Sequence, residues 1–197
     1  MEPRRRATRD ETRALILEKA ESLFRQFGFA KTTVADIAGE AGMSTANVYK
    51  YFPSKDAIVA AGAALNFGHL MAALVRIVGG EGSAVDRLET MVLTIARTLR
   101  DIFRSERQLY KLIATCIEQN WACVQEFDEE LVSVVAGLLQ EGMRAGEFSV
   151  MAPAATARVL LESLKSVTHP LLLGKIADAD VEKRACEQVR FLARALR

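Results

Sequence analysis

Residues Thr32 to Lys55 read TTVADIAGEAGMSTANVYKYFPSK. Two short helices and a tight corner follow from this pattern. Val34, Ile37 and Ala38 are apolar at helical spacing, and Thr33 just ahead of them is a good N-cap. Glu40, Ala41, Gly42 and Met43 form the corner, where Gly42 supplies the left-handed conformation that a tight helix–helix turn needs. Ser44 caps a second helix predicted over Thr45 to Phe52, and Pro53 ends it. This helix buries Val48 and Phe52, four residues apart, and turns Thr45, Ala46, Asn47, Tyr49 and Lys50 outward. A small, polar and cationic face on a rigid helix matches the chemistry of base edges and phosphates.

The flanks extend an all-α reading. A first helix is predicted from Asp10 to Phe27, with Ile16, Ala20, Leu23, Phe24 and Phe27 as its apolar stripe and Gly28 as its stop. Ser54 caps a fourth helix that runs to about Val78, with Lys55 and Asp56 in its first turn. Gly79 to Ser83 is the clearest break in the chain. Five more helices follow: Ala84–Arg104, Glu106–Asn120, Ala122–Ala145, Pro153–His169 and Asp180–Ala195. Period-2 alternation is nearly absent, so strands are not expected. The expected organisation is a DNA-reading domain over 1–53 and a second helical domain over 54–197.

The helix at Pro153–His169 is apolar on more than one side. Ala157, Leu160, Leu164 and Val167 share a face, with Val159 and Leu161 on its flanks. Such a helix needs cover on two sides, its own domain and a partner subunit. The last helix adds Val181, Ala185, Val189, Leu192 and Leu196. Two helices from each chain would build a four-helix interface in a C2 homodimer.

Composition narrows the function classes. Half the residues are hydrophobic, enough for a sizeable core, and few are aromatic, as a helical protein expects. The net charge of +1 hides a basic start: Arg4, Arg5, Arg6 and Arg9 face only Glu2 nearby, an arm suited to phosphate or to the minor groove. The three cysteines, Cys116, Cys123 and Cys186, have no metal-ligand or CxxC spacing, which with no signal peptide points to a reducing cytoplasm. Ala57 to Val75 is free of charge, but its alanines, Gly62, Gly68, Asn66 and His69 read as a helix buried among helices, not a membrane span. No phosphate loop, nucleophile elbow or metal constellation is present in the sequence, and the two histidines lie in different helices. Neither an enzyme nor a bound cofactor or metal is expected.

The ordered run Phe27-Gly28-Phe29-Ala30-Lys31-Thr32-Thr33, then Val34 to Ala57, resembles the TetR family of bacterial regulators. The similarity is close from Thr12 to Ala60; beyond it only the helical layout matches. The resemblance implies about nine helices, three of them reading DNA, and a homodimer on a palindromic operator. It aligns Thr33, Thr45, Asn47, Tyr49, Lys50 and Lys55 with positions that commonly meet DNA. Where Lys50 stands the family often has histidine, and near Ala46 often glycine, so the preferred DNA sequence does not carry over. By chemistry, Tyr49 and Lys55 suit phosphates, Asn47 suits adenine and Lys50 suits guanine. Thr33 suits both a cap and a phosphate.

The second domain carries more bulky apolar residues than a compact bundle needs. Phe67, Met71, Phe103, Tyr110, Trp121 and Phe127, with His169 as a polar group, are the expected lining of a pocket for a small apolar effector. His69, Asn66 and Lys165 are further polar groups. The expected function is a ligand-responsive regulator, a repressor by family analogy, with the fourth helix as its lever. The alternatives are a ligand-independent dimer and a redox-responsive one, the latter through Cys116 and Cys123, seven residues apart.

Overall fold

Thr8 opens the first helix, α1 (Arg9–Phe27), through a capping box: its hydroxyl accepts from the Glu11 amide, and the Glu11 carboxylate accepts from the Thr8 amide. The computed structural model describes residues 8–149, 152–174, 176 and 180–197. Arg4, Arg5 and Arg6 of the basic arm lie outside them. Gly28, at φ 85°, stops α1 where expected. Thr33 opens α2 (Val34–Glu40) with a second capping box, closed by Asp36. Gly42, at φ 65°, then turns the chain, and the Met43 amide reaches back to the Ala38 carbonyl at 2.9 Å. Ser44 caps α3 (Thr45–Tyr49), and α4 (Lys55–Val78) follows.

The chain divides into two compact units, Met1–Leu65 and Asn66–Arg197, with the boundary inside α4. The core of the first is built by Ile16, Ala20, Leu23 and Phe24 of α1, Val34, Ile37 and Ala38 of α2, Val48 and Phe52, and Ile58 and Val59. Phe27 departs from the expected stripe. It is 49% exposed because α1 ends there, and Phe29 instead packs edge-on against Phe24, with ring centroids 5.7 Å apart.

The second unit holds the rest of α4 with α5 (Ala84–Ser105), α6 (Arg107–Glu118), α7 (Ala122–Arg144), α8 (Pro153–Thr168), α9 (Pro170–Leu173) and α10 (Val181–Arg194). The described residues thus form ten helices, not nine. The extra one is α9: Pro170 ends α8 as expected, but proline also suits the first turn of the next helix. Helix α5 packs against α6, α7, α8, α9 and α10. The order of its ion pairs makes α10 antiparallel to it, Glu89 with Arg190 and Arg97 and Arg100 with Glu182. The two guanidiniums hold the Glu182 carboxyl at about 2.

Two expectations change in this unit. Val181, Ala185, Val189 and Leu196 were expected to serve a partner, but all four are buried in the core of their own unit against α5 and α8. Helix α4 was expected to be buried among other helices. It is long and apolar enough to cross a bilayer, yet only 22% of its apolar window is buried. Ile58 and Val59 enter one core, Met71, Leu74 and Val78 the other, while Ala64, Leu65, Gly68 and Ala72 stay exposed. One stripe suffices for packing, and the exposed side mixes these with Asn66, His69, Val75 and Arg76.

The end of α7 shows how small residues shape the core. The Phe148 ring occupies a slot over Gly142 and Ala84, and the neighbouring Glu147 carboxylate accepts from the Ala84 amide at 2.9 and 3.1 Å, capping α5 from 63 residues away. A Cβ on Gly142 would stand 2.3 Å from the Phe148 ring. Gly142→Ala should therefore destabilise the protein by about 1–3 kcal/mol. Gly137→Ala, one helix turn and a half earlier and with open space around it, should stabilise by about 0.5–1 kcal/mol. Thermal or urea unfolding of the two variants gives the opposite signs.

Candidate nucleic-acid interface

Helix α3 has only five residues, so packing and not helix propensity holds it. The sequence predicts a helix through Phe52, but the regular part ends at Tyr49. The Lys50 and Tyr51 amides donate three residues back, to Asn47 and Val48, so the last turn tightens. Pro53 is the cause, because it bars the residue before it from helical geometry. Phe52 still reaches the core, with the Arg13 guanidinium 4.5 Å from its ring centroid.

With Val48 and Phe52 inward, the opposite face of α3 is open. Ala46, Tyr49 and Lys50 are exposed, and Thr45 and Asn47 are half-buried. Tyr49 is 50% exposed, so its ring is not a packing residue of the core. The Asn47 amide nitrogen donates to the Met43 sulfur at 3.6 Å, a weak acceptor that a base can displace. Its backbone amide is held by the Ser44 hydroxyl at 3.2 Å.

Two of the seven expected DNA-facing residues are engaged inside the unit. The Thr33 hydroxyl donates to Asp36 Oδ2 at 2.7 Å and accepts from the Asp36 amide at 3.2 Å. The hydroxyl's bond, and then the Thr33 amide donating to the same oxygen at 2.8 Å, hold the Asp36 carboxyl below its ordinary range. Thr33 is exposed, but its one hydroxyl proton is committed to the cap. The Lys55 ammonium turns inward. It donates to the carbonyl oxygens of Phe29 at 2.9 Å and Thr32 at 3.1 Å and lies 4.1 Å from the Phe29 ring centroid. The reading of a solvent-facing lysine at a helix start did not anticipate these carbonyls, which lie 26 and 23 residues earlier in the chain. Lys31, exposed in the loop between Gly28 and Thr33, is a cation that the sequence reading passed over. Its signal was a lone charge between a helix stop and a helix cap.

In the second unit the expected ligand residues form two aromatic pairs. Phe67 and Phe127 have ring centroids 5.0 Å apart. Phe103 and Tyr110 meet edge-on at 4.9 Å, and the Tyr110 hydroxyl donates to the Pro170 carbonyl at 2.9 Å. Met71 is a fully buried core residue. Trp121 belongs to neither pair; its indole N–H donates to Gln119 at 2.9 Å. His169 stands at the N-cap position of α9, and its Nδ1 is buried with no hydrogen-bond partner among the described residues. Burial, and then the Lys165 charge, push its pKa down. Burial raises the neighbouring Asp128. Cys116 and Cys123 are both buried. Burial, with the Cys123 charge next, pushes the Cys116 thiol up to about 11, away from the thiolate that oxidation needs.

Comparison with known proteins matches both units to family models. Residues 16–61 match the bacterial regulatory proteins of the tetR family, and residues 84–189 match the tetracyclin repressor-like C-terminal domain. The chain is 29% identical over 180 residues to the HTH-type transcriptional regulator YfiR of Bacillus subtilis (strain 168), covering 88% of this chain and 86% of that protein. A transcriptional regulator from Cytophaga hutchinsonii superposes with a TM-score of 0.72 at 22% identity, over 93% of this chain and 97% of its own. FadR of Bacillus subtilis, solved with stearoyl-CoA, superposes at 0.66 and 17% identity, over 93% and 99%. Through the match to its second unit, more than half its length, and the match to its helix-turn-helix, the chain belongs to the TetR family of DNA-binding transcriptional regulators.

Proposed function

We propose that this protein is a cytoplasmic, ligand-responsive repressor that binds a palindromic operator as a homodimer and is released by a small apolar effector. The observation that carries the reading is α3 itself: Val48, with Phe52 just beyond its end, holds it in the core, and among the described residues its polar face carries only the weak Asn47–Met43 bond. Asn47 and Lys50 read base edges; Tyr49, with Thr45 and Ala46 beside it, lies along the backbone, and Lys31 and Arg9 add phosphate contacts. Thr33 meets the backbone only as an acceptor or through water. A five-residue helix reads few base pairs, so a second copy is needed for a useful site.

Two exposed apolar residues support the dimer. Val159 on α8 is 67% exposed and Phe191 on α10 is 72% exposed, outside the core that their helices otherwise complete. The Phe67–Phe127 and Phe103–Tyr110 pairs, with the unpartnered Nδ1 of His169, supply the apolar wall and polar group of an effector site. The acyl chain of the stearoyl-CoA held by FadR, a protein of the same fold, is apolar in the same way, although its CoA headgroup is charged.

Selection of duplexes from a random pool tests the reading directly: a palindromic consensus is expected, and recovery of no preferred sequence would overturn it. On the selected duplex, Asn47→Ala should reduce the preference over scrambled DNA about tenfold, about 1.4 kcal/mol. Tyr49→Phe should weaken both duplexes by a similar factor. In sedimentation the wild type should run at twice the chain mass, and Val159→Arg with Phe191→Arg at the single mass. Melting with a long-chain acyl-CoA present should shift upward, since a ligand of the folded state stabilises by mass action. Thiol oxidation should leave DNA binding unchanged; oxidant-dependent release lost in Cys116→Ser would restore the redox alternative.

A further inference from the structure

We propose that Lys55 is a positioning residue of the DNA-reading unit and not a phosphate contact. The proposal rests on the DNA-binding reading above and assigns this lysine a different task within it. The loop from Gly28 to Thr32 closes on itself: the Thr32 hydroxyl donates to the Gly28 carbonyl at 3.0 Å, and the Thr32 amide donates to the same oxygen at 3.3 Å. That closure leaves the Phe29 and Thr32 carbonyls for another donor, and the Lys55 ammonium supplies it to both, at 2.9 and 3.1 Å. The Phe29 ring stands 4.1 Å from the same ammonium. Phe29 is in turn anchored edge-on to the buried Phe24 of α1. Two of the three ammonium donors and one face of the cation are therefore engaged within the protein.

What this latch positions follows from the chain. Lys55 is the first residue of α4, with only Lys50 to Ser54 between it and the end of α3. Its acceptors flank Lys31 and lead straight into Thr33, the cap of α2. The latch thus sets the start of α2 relative to the reading face of α3. Without it, two carbonyl oxygens lose a charged donor, and the loop keeps only its own turn and the Phe24–Phe29 contact.

Salt dependence separates the two roles. On a duplex selected by the wild type, removing a phosphate contact lowers the slope of log affinity against log salt by about 0.9. Lys55→Met keeps the aliphatic stem and removes the ammonium. The expected result is an affinity about tenfold lower with the slope unchanged. Phe29→Leu removes the ring and touches no DNA-facing group. It should also weaken binding at constant slope, and the double variant should be less impaired than the product of the two single effects. A slope reduced by about 0.9 in Lys55→Met, or two fully independent effects, would overturn the proposal. Should Lys55→Met melt below the assay temperature, Phe29→Leu decides alone, with unchanged affinity as the overturning result. Failure of the wild type to select any duplex would instead sink the DNA-binding reading itself.

Discussion

The burial of Val48 and Phe52 is the constraint on which the functional surface depends. They are one turn apart, Val48 inside a helix too short to exist alone and Phe52 just past the tightened turn that ends it. Burying two such side chains stabilises by about 2 kcal/mol each, enough to fix the orientation of a five-residue segment. Once they are inside, the 100° step of the helix dictates that Ala46, Tyr49 and Lys50 lie outside. The reading face is a consequence of packing on its opposite side. The caps at Ser44, Thr33 and Gly42 then define where each short element starts and turns.

The second unit solves a different problem, that of fitting long amphipathic helices around α5. Its cohesion comes from the shared apolar core, while each ion pair along α5 and α10 keeps at least one partner in solvent and contributes little individually, about 0–1 kcal/mol. Shape does more: Gly142 and Ala84 are small so that Phe148 can enter between them. Two sets of residues lie at the margin of that core or outside it, although Phe127 packs against it. The aromatic pairs and His169 are one set. Val159 and Phe191 are the other, and they point away from the core that the same helices fill.

Much of this was legible residue by residue. Inward positions of α1, α2 and α8 follow their period, and Ile16, Ala20, Leu23, Phe24, Ala157, Leu160, Leu164 and Val167 are all buried. Gly28, Gly42 and Gly146 have the positive φ that their turn positions demanded. The failures share a cause. An apolar stripe shows that a face is covered but not by what, so the stripe of α10 was assigned to a partner when α5 and α8 cover it. A lysine at a helix start looks solvated until the carbonyls of a distant loop are found beside it. Phe27 obeys the period of α1 yet falls off its end.

The sequence by itself determined the all-helical class, the helix-turn-helix, its outward residues and the family, because caps, turn glycines and apolar period act over a few neighbouring residues. Only the tertiary structure decided which charges are free and which are occupied. Lys31 is exposed and Lys55 is latched because the geometry of the Gly28–Thr32 loop brings two carbonyls to one ammonium and none to the other. That choice depends on distances between segments far apart in the chain, which local pattern does not encode.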